Sequence, residues 1–126
     1  MTLSRKGGLC LCYNSLTNKK RRLYRSALKI NQNEFNKVRE NVGVSLVDFY
    51  ADWCGPCRMV LPVVEQIAEE RDDLLVVKVN VDDNPELAKE FGVFSIPTLI
   101  VFKDGEVVNK VSGARNKAQI LDLVNV

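Results

Sequence analysis

Cys54 and Cys57 stand three positions apart in the run Trp53-Cys54-Gly55-Pro56-Cys57. This C-x-x-C is the pattern in the chain best suited to chemistry. Two thiols so spaced on the first turn of a helix come close enough to form a disulfide. One sulfur can then attack a foreign disulfide while the other resolves the adduct. The upstream sulfur falls where free backbone N–H groups converge, which favours a thiolate. The helix dipole supplies about 0.3–1 kcal/mol of that preference. One pKa unit corresponds to about 1.4 kcal/mol, so direct hydrogen bonds to the sulfur must supply more. Gly55 permits close backbone approach. Pro56 fixes its φ and stiffens the loop, which tunes the balance between dithiol and disulfide.

Two other uses of the pair compete with redox exchange. A zinc site needs about four ligands. The chain has no histidine, and its other thiols, Cys10 and Cys12, form a C-x-C pair far off near the N-terminus. A purely structural disulfide over this spacing closes almost no loop and adds little stability. Redox chemistry is therefore the expectation. The absence of histidine also excludes Ser–His and Cys–His nucleophile pairs. Proton transfer must come from Asp, Glu, Lys, Tyr or Cys.

Asp48 is the acid nearest the cysteines that sits inside an apolar run, Val44 to Tyr50. Burial makes ionisation costly and raises a carboxyl pKa. On the residues alone Asp48 is either a proton carrier or a hydrogen-bonded structural acid. Lys78 similarly interrupts the apolar run Leu74 to Val81. By itself it fits a strand-edge lysine with its head in water.

The elements that hold these residues follow from periodicity. Ala27 to Ile30 suits a short strand. Asn31 with Glu34 resembles a capping box, opening a helix to about Asn41 with Phe35 and Val38 on its apolar face. Val44 to Tyr50 is apolar on both alternating faces, as a strand covered on both sides requires. A helix is predicted from about Cys54 to Arg71, burying Val60, Val63, Val64, Ile67 and Ala68 and bent by Pro62. Leu74 to Val81 is a second apolar strand, so the pair runs parallel through a helical crossover. Asn84-Pro85 opens another helix and Gly92 suits its end. Thr98 to Lys103 and Glu106 to Val111 flank Asp104-Gly105, a strong hairpin turn. A last helix covers about Asn116 to Val124. The class is α/β with a mixed sheet.

Length and charge bound the rest. A chain of 126 residues is about one domain, and its 46% apolar and 27% charged residues are those of a globular protein. No apolar stretch approaches the ~18 residues that span a membrane. Residues 1–29 carry eight basic residues and no acid, a charge of +8, whereas residues 30–126 carry −6. An acidic body argues against nucleic-acid binding. Residues 1–26 are expected to be an extension, either a disordered tail, a targeting segment or the product of an unused start. Its apolar run Leu9 to Tyr13 is short of the ~7–15 residues of a secretory signal, whereas its basic, acid-free composition suits an organellar transit peptide. Cys10 and Cys12 fit incidental thiols in a reducing context.

The stretch VDFYADWCGPCRMV, residues 47–60, closely resembles the active-site signature of the thioredoxin family. SIPTLIVFKDGE, residues 95–106, resembles that family's second signature, and the element order matches over residues 27–126. The Gly-Pro dipeptide differs from the Gly-His of protein disulfide isomerases, the Pro-Tyr of glutaredoxins and the Pro-His of periplasmic oxidases. The resemblance implies a thioredoxin fold, with about five strands in a central mixed sheet and about four helices. It implies a protein-disulfide reductase with Cys54 as nucleophile and Cys57 as resolving thiol, cycling through a Cys54–Cys57 disulfide. It makes Asp48 the proton acceptor for Cys57 and places Lys78 beside it as a modulator. A cis Ile96–Pro97 bond would face the disulfide, and Trp53, Ile96, Pro97 and Gly113 would form the substrate-binding lip. It further implies no bound cofactor, electrons from NADPH through a separate thioredoxin reductase, disulfide-bearing protein substrates and a monomer working in redox homeostasis. The cytoplasm is the expected location, with a mitochondrial or other organelle matrix if residues 1–26 are a transit peptide. A scaffold subunit and an oxidase or isomerase of an oxidising compartment are the competing functions. The intact dithiol with Asp48 weighs against the first, and Gly55-Pro56 without a secretory signal against the second.

Overall fold

A computed structural model describes residues 26–126, so Cys10, Cys12 and nearly all of the basic extension lie outside the described residues. The strands are β1 (Leu28–Lys29), β2 (Val44–Tyr50), β3 (Leu74–Asn80), β4 (Thr98–Lys103) and β5 (Glu106–Ser112). The helices are α1 (Asn36–Arg39), α2 (Gly55–Glu70), α3 (Pro85–Glu90) and α4 (Lys117–Val124). The sheet order is β1-β3-β2-β4-β5. β1, β3 and β2 run parallel, whereas β4 is antiparallel to both β2 and β5. The mixed sheet and four helices expected from the sequence are present.

The central position of β2 explains its composition. Its residues alternate between two apolar layers, because successive side chains of a strand point to opposite faces. Leu46 joins Val60, Val64 and Ile67 of α2 and Ile120 and Val124 of α4. Val47 and Phe49 join Phe35 and Val38 from the α1 region and Leu87 of α3. Each fully buried side chain of this size stabilises the fold by about 1.5–3 kcal/mol. The buried stripe of α2 is narrower than predicted, since Val63 is only partly covered. The helix continues through Pro62, which is exposed.

Between β1 and β2 the single predicted helix is instead two pieces. A 3-10 turn spans Gln32–Glu34, capped by Asn31 and Glu34 in the reciprocal box, and α1 starts only after Phe35. The tighter first turn lets Phe35 and Val38 both reach the core, where they are 1% and 0% exposed. At the β4–β5 turn, Asp104 and Gly105 both have positive φ, 53° and 86°. This is the backbone that a two-residue hairpin needs. A Cβ at Gly105 would run into the Arg39 carbonyl oxygen, so glycine is required there twice over.

Candidate active site

The site forms where β2 ends and α2 begins. Cys54 is the N-cap of α2, in extended conformation, with Pro56 in the first turn. Its Sγ accepts a hydrogen bond from the Cys57 N–H at 3.2 Å. That bond directs one of the unpaired amides at the helix start onto the sulfur. Cys54 and Cys57 are joined as a disulfide, with Cα atoms 5.3 Å apart. The two cysteines are both buried and differ slightly in access: Cys54 keeps 4% of its surface exposed and Cys57 none. Gly55 and Pro56, between them, are exposed.

Three further segments meet at this point. The Ile96–Pro97 peptide bond is cis, and the Ile96 carbonyl oxygen lies 3.9 Å from Cys54 Sγ. The Gly113 N–H donates to the Pro97 carbonyl at 2.7 Å, and Gly113 has a φ of 94°. Trp53 is 68% exposed, so it is not a core residue, and its Nε1 donates to Asp82 Oδ2 at 2.8 Å. Trp53, Val81, Val93, Phe94, Ser95 and Ile96 line a groove of about 340 Å³ beside the disulfide. Phe94 is 95% exposed there. Exposed apolar side chains collected at one place mark a surface for association.

Asp48 lies on the α2 side of β2, in register with Leu99 on β4 and Lys78 on β3. It is fully buried, and neither carboxyl oxygen has a hydrogen-bond partner among the described residues. Burial raises its pKa from 3.8 to about 7, against an opposing pull from Lys78. A carboxyl so placed exchanges protons in the neutral range. Lys78 stands next to it in register, yet its ammonium is bonded to Glu65 Oε2 of α2 at 2.9 Å.

Trp53, Ile96, Pro97 and Gly113 thus gather near the sulfurs, while Asp48 and Lys78 lie side by side on β2 and β3 on the face under α2. Sequence reasoning missed Asp82, Glu65 and Phe94. Phe94 had a weak cue, an aromatic residue in a loop between Gly92 and Pro97. Among the described residues no group of three or more His, Cys, Asp or Glu could hold a metal ion, and no helix is long and apolar enough to cross a membrane.

Comparison with known proteins agrees with this geometry. The thioredoxin family model matches residues 26–126. A thioredoxin of Listeria monocytogenes is 55% identical over 84 residues, 66% of this chain and 82% of the relative. A bifunctional thioredoxin reductase/thioredoxin of Mycobacterium leprae is 57% identical over 83 residues, 64% of this chain but 18% of that protein. The solved structure of a single-substitution mutant of a thioredoxin from Halobacterium salinarum superimposes with a TM-score of 0.75 at 44% identity, covering 79% of this chain and 88% of that one. With its sheet order, its disulfide at the head of α2 and these relatives, the chain belongs to the thioredoxin family of thiol–disulfide oxidoreductases, which reduce the disulfides of proteins.

Proposed function

We propose that Cys54 is the attacking sulfur, Cys57 the resolving sulfur and Asp48 the proton acceptor in the reduction of protein disulfides by this chain. The observation that carries the assignment is the asymmetry of the pair: Cys54 caps the helix and accepts the Cys57 N–H, and it keeps a trace of exposure where Cys57 keeps none. In the dithiol form the Cys54 thiolate attacks one sulfur of the substrate disulfide. That bond breaks, and the departing substrate sulfur leaves as a thiolate that takes a proton. Cys57 then gives its proton to Asp48 and attacks Cys54 Sγ, releasing the second substrate thiolate. Two electrons pass to the substrate and the Cys54–Cys57 disulfide remains. An unperturbed thiol, with a pKa of about 8.5, is mostly protonated at neutral pH, so Cys57 needs a base.

The groove beside the sulfurs is the docking surface in this account. Trp53, Ile96 and Phe94 supply apolar contact, while Pro97 and Gly113 present backbone to an extended substrate segment. Gly55 and Pro56 set the balance between dithiol and disulfide, and Lys78 adjusts Asp48. Electrons return from NADPH through a separate thioredoxin reductase, a partnership supported by the Mycobacterium leprae relative whose name joins both activities. No bound cofactor takes part. Residues 27–126 form the working domain, with residues 1–26 as an appended segment. The domain acts as a monomer in the cytoplasm, or in an organelle matrix if that segment directs import.

Trapping tests the assignment. Cys57→Ser should accumulate mixed disulfides with substrates through Cys54, because no resolving thiol remains, whereas Cys54→Ser should trap almost none. Adducts found on Cys57 instead would reverse the roles.

A further inference from the structure

Lys78 is the cation nearest to Asp48 in register, yet it spends its hydrogen bond elsewhere. Glu65 holds it there. The Glu65 carboxylate is fixed at both oxygens: Oε2 accepts from Lys78 Nζ at 2.9 Å and Oε1 accepts from the Ala27 N–H at 2.8 Å. The Lys78 and Glu65 side chains are only 24% and 31% exposed, so solvent screens this pair incompletely. Asp48, by contrast, has no partner for either oxygen among the described residues. We propose that Glu65 is a positioning residue for Asp48: anchored to the backbone at the start of β1, it draws the Lys78 ammonium away from the buried carboxyl and so keeps that carboxyl basic enough to take a proton.

Burial sets the main shift of Asp48, and Lys78 is the charge that opposes it. β3 contributes Lys78, in register with Asp48, and α2 contributes Glu65, the partner of Lys78, while the two cysteines at the head of α2 are joined as a disulfide. On β2 itself Tyr50 packs with the two cysteines. β4 presents Leu99, and α4 presents Ile120 and Val124, all apolar. Without the Glu65 charge, Lys78 loses its competing partner and can turn to Asp48. Both the nearer cation and the loss of a nearby anion favour ionised Asp48. The burial of Asp48 raises its pKa and Lys78 lowers it, so substitutions of Glu65 and of Lys78 should act in opposite directions.

The inference rests on Asp48 as proton acceptor, and its test separates the two. In the oxidised full-length chain, where Cys54 and Cys57 do not titrate, the Asp48 carboxyl is followed by carbon NMR, with Asp48→Asn for assignment. Glu65→Gln should lower the Asp48 midpoint by about one unit, and Lys78→Met should raise it. Glu65→Asp should restore part of the shift. In the Lys78→Met background, Glu65→Gln should have less than about half its former effect, since the displaced cation is gone. A midpoint unmoved by Glu65→Gln, or an effect of full size without Lys78, would overturn the proposal. If the midpoint moves but the pH profile of mixed-disulfide resolution in Glu65→Gln does not follow it, Glu65 keeps its effect on Asp48 and Asp48 loses its role as acceptor.

Discussion

The two faces of the sheet are made by the same strands and differ in kind. The face under α1 and α3 is mainly apolar and rich in aromatic rings, with Ser45 and Thr98 as small buried polar residues on its strands. Phe35 meets Phe102 and Phe91 at centroid distances of 5.8 and 5.3 Å, and Phe91 meets Phe102 at 5.4 Å, edge to face. The face under α2 and α4 has an apolar layer of its own but also carries Asp48, Lys78 and, at its end, the sealed Cys57. β2 serves both, giving Val47 and Phe49 to one and Leu46, Asp48 and Tyr50 to the other. A single residue of pleat therefore separates packing from chemistry. One face maximises stability, and the other gives up some of it to keep an ionisable group in the interior.

The largest stability loss should come from the aromatic face. Phe35→Ala should cost about 3–5 kcal/mol, because it empties a fully buried site beside two other rings. Disulfide reduction per folded molecule should stay unchanged, as chemical denaturation and insulin reduction measured together would show. A large drop in activity without loss of stability would break the division between the faces.

The smallest effect should come from the groove rim. Phe94→Ser should leave stability unaltered, since the ring is 95% exposed. It should raise KM for protein substrates about fivefold, the equivalent of about 1 kcal/mol of lost apolar contact, with little change in kcat. Steady-state kinetics on two unrelated protein disulfides would sharpen the comparison by separating docking from both faces. An unchanged KM for both would remove Phe94 from the docking surface.

How much of this could be seen in the sequence depended on whether a residue's role was local. β2 and β4 were legible to the residue, because continuous apolar runs bounded by turn residues have few other homes. The Asp104-Gly105 turn was legible for the same local reason. The region after Ile30 was not. Its capping box was visible, but the break at Phe35 depends on how deeply that ring seats against Phe91 and Phe102. Cys54, Cys57 and Asp48 stood out because a C-x-x-C and an acid in an apolar strand are anomalies. Glu65 did not, since a glutamate on the polar side of an amphipathic helix looks like any solvated acid. Its partners, Ala27 and Lys78, come from 38 and 13 positions away. The Trp53–Asp82 bond was hidden in the same way, spanning 29 positions.

The central claim is that the α2 face tolerates a buried acid because the acid accepts a proton from Cys57. Below pH about 4, Asp48 is protonated in folded and unfolded chains alike and carries no ionisation penalty. Its folded pKa is raised from 3.8 to about 7, so stability falls as pH rises across that window. The full penalty, about 4 kcal/mol for a shift of about three units, is present above pH about 7. An Asn amide in the same place leaves polar atoms unpaired and offsets about 1–3 kcal/mol of the relief. The direct measurement follows Asp48→Asn from pH 5 to pH 9, recording unfolding free energy and the rate of mixed-disulfide resolution on the same samples. The variant should be more stable by about 1–3 kcal/mol near pH 8, with the gain fading towards pH 5. It should resolve on the order of tenfold more slowly near pH 7, with the deficit closing as the Cys57 thiolate forms unaided at higher pH. A variant that is less stable, and as fast as the parent at every pH, would contradict the account and return Asp48 to a purely structural place.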